Sequence, residues 1–129
     1  MFSLVTKLTQ LFPNEEEYLT LPAGNMLFRR GDQGSYMYVV KYGNVDIRVD
    51  GKLVEIGSVG IPLGEESLVE HAPRMASVMA SSDCKLIVID QARLDTLIKN
   101  TPALLNHLKL LIELRRISWM PLAAMTLHE

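Results

Sequence analysis

A glycine, two carboxylates and a lone arginine stand close together in Leu63-Gly64-Glu65-Glu66-Ser67-Leu68 and Ala72-Pro73-Arg74-Met75-Ala76-Ser77. Gly64 and Glu65 fall at the expected start of a short helix over about residues 65–70. Arg74 follows Glu65 by nine residues, just past Pro73. A helix start presents unpaired backbone N–H groups and the positive end of a dipole, which together suit an anion. An arginine adds a planar fork of donors matched to phosphate oxygens. A carboxylate supplies acceptors for sugar hydroxyls. Phosphate and ribose together describe a nucleotide, and one arginine suits a singly charged phosphate better than a triphosphate.

The segments around this cluster change character twice. Phe2, Leu4, Val5, Leu8, Leu11 and Phe12 recur at helical spacing, with Ser3 as a cap and Pro13-Asn14 as a stop. Glu15 to Leu19 reads as a further turn, and Pro22-Ala23-Gly24-Asn25 as a bend. From about Met26 to Asp90 the pattern is that of strands. Val45, Ile47 and Val49 alternate with Asp46, Arg48 and Asp50, the mark of a half-buried strand, and Asp50-Gly51 signals a tight hairpin. Met75 to Ser81 and Lys85 to Ile89 read as the last two strands. Many short strands punctuated by glycine suggest a small barrel or jelly roll.

Beyond Gln91 the chain turns helical again. Leu94, Leu97 and Ile98 share one face. Thr101-Pro102 opens a final helix, with Thr101 as cap and Pro102 at the first position. In it Leu104, Leu105, Leu108, Leu111 and Ile112 form one apolar stripe, and Leu110, Leu114 and Ile117 a second, offset one. A helix apolar on two sides calls for a second surface to cover it.

The cassette resembles the phosphate-binding segment of the cyclic nucleotide-binding domain family, roughly Phe-Gly-Glu-Leu-Ala-Leu, a variable stretch, then Pro-Arg-Ala-Ala-Thr. Gly64, Glu65, Leu68, Pro73, Arg74 and Ala76 fall at matching spacing. Upstream, Leu27-Phe28-Arg29-Arg30-Gly31-Asp32-Gln33-Gly34-Ser35-Tyr36-Met37-Tyr38-Val39-Val40 is similar to the family's opening strand, Gly-Asp turn and following strand. Gly43 with Val45-Asp46-Ile47, and Gly60, also match, so the likeness covers about residues 20–115.

That resemblance implies a mainly β fold: a double-stranded β-helix (jelly-roll) barrel over about residues 21–90. A helical segment over about 1–20, the short cassette helix and C-terminal helices over about 91–120 flank it, in one domain spanning 1–129. It implies a cyclic nucleotide ligand lined by Leu63, Gly64, Glu65, Glu66, Ser67, Arg74, Met75 and Ala76. In the family the arginine pairs with the cyclic phosphate, a role carried to Arg74, and the glutamate holds the ribose 2′-hydroxyl, a role carried to Glu65. The residue after the arginine, here Met75, gives its backbone N–H to the phosphate. An apolar residue of the last helix covers the base, and Leu114, Ile117 and Trp119 are the candidates. Glu66, Ser67, Met75 and Leu63 depart from the pattern, where the family usually has leucine, alanine or glycine, a small residue and phenylalanine. Met75 lacks the hydroxyl that guanine-selective members place there, which favours cyclic AMP over cyclic GMP.

Bulk properties narrow the field. The chain has 129 residues, 48% hydrophobic and 22% charged, with a net charge of −2, ordinary usage for one globular domain. An acidic balance argues against nucleic acid as partner. Cys84 is the sole cysteine, so neither an intrachain disulfide nor a cysteine zinc cluster is possible. His71, His107 and His128 share no metal-ligand spacing, and no nucleophile stands with a base partner. No stretch is long and apolar enough for a membrane span. The expectation is a soluble, cytoplasmic, non-enzymatic protein with no cofactor and no metal. Its first reading is a stand-alone cyclic AMP sensor that signals through its C-terminal helix to a protein partner or a dimer mate. The alternative is an interaction module that keeps the fold without binding nucleotide. A third is a piece of a larger regulator.

Overall fold

The computed structural model describes residue 8, residues 11–12 and residues 17–119. Eight strands come first: β1 (Leu19–Leu21), β2 (Met26–Phe28), β3 (Tyr36–Tyr42), β4 (Val45–Val49), β5 (Lys52–Gly57), β6 (Pro62–Leu63), β7 (Ser77–Ala80) and β8 (Cys84–Asp90). Helix α1 (Glu65–Val69) lies between β6 and β7; α2 (Gln91–Asn100) and α3 (Ala103–Ser118) follow β8. The strands form two antiparallel sheets, ordered β1-β8-β3-β6 and β2-β7-β4-β5, in the jelly-roll arrangement with flanking helices.

The apolar patterns explain the layers. Strand β4 alternates, with Val45, Ile47 and Val49 inside and Asp46 and Arg48 towards solvent. Strands β3 and β8 are instead apolar on both faces. Val40 and Leu86 point into the barrel interior with Val45, Ile47, Leu63, Ala76 and Val78. Met37, Val39, Ile87 and Ile89 point the other way, into a second core with Leu68, Leu94, Leu104 and Leu108. A continuous apolar run of strand length is what a sheet covered on both sides requires. The β4–β5 hairpin turns on Asp50 and Gly51, with φ of 51° and 81°, a pair of left-handed residues whose twist matches the strands.

Several expectations need correction. Leu19 belongs to β1 rather than to a helical turn, and the strand expected from Met75 starts at Ser77. Helix α3 has no side-chain cap: Thr101 closes α2 by donating its N–H to Leu97 O at 2.8 Å, and its carbonyl accepts the Leu104 N–H at 3.0 Å. The helix expected over residues 2–12 lies largely outside the described residues, though Leu8 and Phe12 are buried against the helical-side core. On α3, Leu104, Leu108 and Ile112 are buried, Leu105 and Leu111 half-buried, and Leu110, Leu114 and Ile117 exposed. Among the described residues no helix is long and apolar enough to cross a membrane, and no His/Cys/Asp/Glu cluster could hold a metal ion.

Leu108 joins α3 to the outer face of β3 and β8 and is fully buried. Leu108→Ala leaves a cavity at that seam and lowers stability by about 2–5 kcal/mol, read from the urea midpoint at unchanged slope.

Candidate functional site

Arg74 is clamped by its backbone before its side chain matters. Its N–H donates to Asp32 O and its carbonyl accepts the Gly31 N–H, both at 2.9 Å, which fixes the residue to the turn between β2 and β3. The side chain then runs inward and is 4% exposed. Its Nη1 donates to Gly64 O at 3.0 Å, and the guanidinium lies over the Phe28 ring at 4.1 Å and the Tyr38 ring at 5.9 Å. Two glycines leave it room. A Cβ on Gly34 or on Gly64 would overlap the guanidinium, and Gly64 also adopts φ 72°. Burial lowers the Arg74 pKa, and Glu66, Tyr38, Glu65 and Asp32 oppose that. A cation held by a carbonyl and two rings keeps its capacity for an anion.

Glu65 is 1% exposed, and α3 reaches across to it. Arg115 Nη1 donates to Glu65 Oε1 and to Pro62 O, each at 2.8 Å, while Nε and Nη2 hold Glu55 on β5 at 3.3 and 3.0 Å. Burial works against the charge of Arg115, but Glu65 and Glu55 outweigh it and raise its pKa. The guanidinium also faces the Trp119 ring at 5.1 Å. Trp119 itself packs into the barrel core, where it lines a small hollow together with Phe28, Ile47, Leu63, Ala76 and Val78. Beside it opens a cleft of about 410 Å³ bordered by Arg30, Gly31, Arg74, Met75 and Arg116. Arg116, at the rim, pairs with Glu70 and Glu113.

Glu66 turns its carboxylate onto the strand side, where Oε1 accepts the Met75 N–H at 3.1 Å. Burial, then the neighbouring Glu65 charge, raise its pKa; hydrogen bonds and Arg74 act in the opposite sense. Three buried side-chain atoms lack a hydrogen-bond partner among the described residues: Glu65 Oε2, Ser67 Oγ and Arg74 Nε. Buried polar atoms are almost always paired, so three unpaired ones within one cassette set it apart from the rest of the described core.

Of the positions expected from sequence, Leu63, Gly64, Glu66 and Ala76 are buried and line the hollow, buried Arg74 and half-buried Met75 line the cleft, and Glu65 and Ser67 are buried without lining either. Trp119 lines both hollow and cleft. Leu114 and Ile117 line neither; they are 40% and 60% exposed on the opposite face of α3. Neither Glu70 nor Asp83 forms an ion pair with Arg74: Glu70 takes Arg116, and Asp83 accepts the Ala23 N–H. Arg115, Glu55 and the Phe28–Tyr38 platform join the site without a role assigned by the sequence. One signal was available for Arg115, which continues the buried row Leu104, Leu108, Ile112 at helical spacing.

The family model described as "Cyclic nucleotide-binding domain" matches residues 18–101. The chain belongs to the cyclic nucleotide-binding domain family. A cAMP-dependent protein kinase regulatory subunit of Eremothecium gossypii is 33% identical over 78 residues, 60% of this chain and 17% of that protein. Rap guanine nucleotide exchange factor 1 of Caenorhabditis elegans is 30% identical over 108 residues, 83% of this chain and 10% of that protein. The chain therefore spans under a fifth of the length of these curated relatives. Among solved structures, Thermus thermophilus catabolite activator protein aligns with a TM-score of 0.69 at 26% identity, covering 86% of this chain and 54% of that one. The regulatory domain of Toxoplasma gondii PKA, solved with cAMP, aligns at 0.62 and 26% identity over 78% of this chain and 45% of that one.

Within this cyclic nucleotide-binding domain, two substitutions probe the geometry. Arg115→Ala strands a buried carboxylate at Glu65 and costs about 3–5 kcal/mol in chemical denaturation; adding Glu65→Ala recovers much of that, since the unpaired charge is then gone. Gly34→Ala drives the guanidinium of Arg74 out of its seat while leaving the sheets intact. Its expected signature is weakened anion binding with a small stability change.

Proposed function

We propose that this chain binds a cyclic nucleoside monophosphate, cyclic AMP in preference to cyclic GMP, and reports occupancy through α3. The orphaned atoms of Glu65, Ser67 and Arg74 carry this reading. A cyclic phosphodiester supplies acceptors for Arg74 Nε and the Ser67 hydroxyl. A ribose hydroxyl supplies a donor for Glu65 Oε2. The single negative charge of a cyclic phosphate matches one buried guanidinium. Met75 supports the adenine preference, since it carries no hydroxyl for guanine.

The output follows from what shares the hollow. A purine base needs apolar space beside Phe28, Ile47 and Val78, where the Trp119 indole packs, so binding displaces the indole. Arg115, four residues earlier on α3, holds Glu65 Oε1 and leaves Oε2 to the ribose, so helix and ligand meet on one carboxylate. A ligand shifts the helix only by its difference in affinity for the two positions; tenfold corresponds to about 1.4 kcal/mol. Leu110, Leu114 and Ile117 present an exposed apolar strip on α3 for a protein partner or a dimer mate.

The competing reading is an interaction module without ligand. Trp119 in the hollow and Glu66 on the Met75 N–H favour it. Calorimetric titration separates the two: saturable heat with cyclic AMP supports the sensor, and none at millimolar concentration supports the module. Arg74→Ala weakens cyclic AMP by at least about thirtyfold, from the loss of about 2–5 kcal/mol for one partner of a desolvated charge pair. Trp119 is the one tryptophan of the chain, so its emission reports displacement directly. Saturating cyclic AMP shifts that emission to the red, and Trp119→Ala binds the nucleotide more tightly than the wild type. An unmoved emission at saturation defeats the displacement step.

A further inference from the structure

Glu66 does something that the proposed function does not absorb. It is 4% exposed, sits beside Glu65 on one buried turn, and its Oε1 accepts the Met75 N–H at 3.1 Å. A backbone N–H aimed at a carboxylate is an anion contact already taken. The surrounding elements show how that charge is balanced. From α1 comes Glu65; from the segment before β7 come Arg74 and the Met75 N–H; from α3 comes Arg115, already shared between Glu65 and Glu55. Tyr38 on β3 faces Arg74 rather than Glu66. Phe28, Ile47 and Val78 complete the hollow and bring no charge. Glu55, Glu65 and Glu66 thus share Arg74 and Arg115, Asp32 adds a further negative charge beside Arg74, and Arg30 and Arg116 at the cleft rim are already paired with Asp50 and with Glu70 and Glu113. A phosphodiester added to that set deepens the imbalance inside a poorly solvated space, where like charges are costly.

We propose that Glu66 is the residue that sets which anion this site accepts: its carboxylate holds the phosphate's place at the Met75 N–H, and a singly charged phosphodiester enters together with one proton that neutralises Glu66. This rests on the cyclic nucleotide reading of the site. The proton comes from solvent and ends on the Glu66 carboxyl, which then donates its O–H to a phosphate oxygen while the Met75 N–H is released to another. Two consequences follow. Affinity falls as pH rises, because the bound form holds a proton that the free form has lost. A dianionic open-chain monophosphate such as 5′-AMP is rejected, because one proton no longer restores the balance. The elevated pKa of Glu66 agrees with this, since a carboxyl already reluctant to ionise is readily protonated.

The test is calorimetric titration of the full chain with cyclic AMP between about pH 5.5 and 8.5, in buffers of different ionisation enthalpy. Wild-type affinity falls towards tenfold per pH unit at the alkaline end, and the buffer-dependent heat reports about one proton taken up per nucleotide. Glu66→Gln keeps the shape of the side chain, binds with affinity independent of pH, and exceeds the wild type at pH 8. His71→Gln, at an exposed position, keeps the wild-type pH profile. Flat wild-type affinity with no buffer-dependent heat overturns the assignment, and so does Glu66→Gln binding more weakly than the wild type at pH 8. Where such pH-independent binding still depends on Arg74, the nucleotide reading stands and the Glu66 assignment alone fails. Folded wild type, Glu66→Gln and Glu66→Leu that all ignore cyclic AMP and cyclic GMP at every pH overturn both.

Discussion

A carboxylate taken out of water has to be met by a cation, and here the cation arrives from the far end of the chain. The Arg115–Glu65 contact, 2.8 Å long and almost wholly buried, ties the last helix to the cassette. Such a pair adds little net stability over an apolar equivalent, yet either partner alone is expensive. Helix α3 therefore cannot leave Glu65 unless another donor takes its place. Ribose hydroxyls are donors of that kind, and the free oxygen of Glu65 is where one would begin. Trp119, one turn beyond Arg115, is carried along by the same geometry.

Around that pair the fold serves mainly to hold Arg74 still. Its backbone is stitched to Gly31 and Asp32, its guanidinium rests on Phe28 and Tyr38, and two glycines leave the volume it fills. These supports come from β2, β3, the turn between them and the start of α1. A cation arranged beforehand needs little reorganisation when an anion arrives.

The parts legible in sequence are those whose backbone or pattern is unusual. Gly64 and Asp50-Gly51 announce left-handed conformations, and the Val45–Val49 alternation announces a one-sided strand. The cassette is readable because its residues lie within fourteen positions of one another, from Leu63 to Ala76. The Arg115–Glu65 pair joins residues fifty positions apart, and no local pattern encodes a pairing at that distance. Arg115 and Arg116 are adjacent and chemically alike; only the register of Leu104, Leu108 and Ile112 separates the buried one from the exposed one. The lid candidates divided for the same reason. Leu114 and Ile117 follow the outer stripe, and Trp119, the C-cap residue of α3, packs into the barrel core.

Strands β3 and β8 separate the barrel interior from the helical layer, and that partition is a single peptide thick. Tyr38 faces the guanidinium on one side, while Met37 and Val39, its covalent neighbours, press on Leu104 and Leu108 territory on the other. A sheet held tight on both surfaces has no slack to absorb a push. One strand thus carries both the seat of Arg74 and the packing surface for the root of α3.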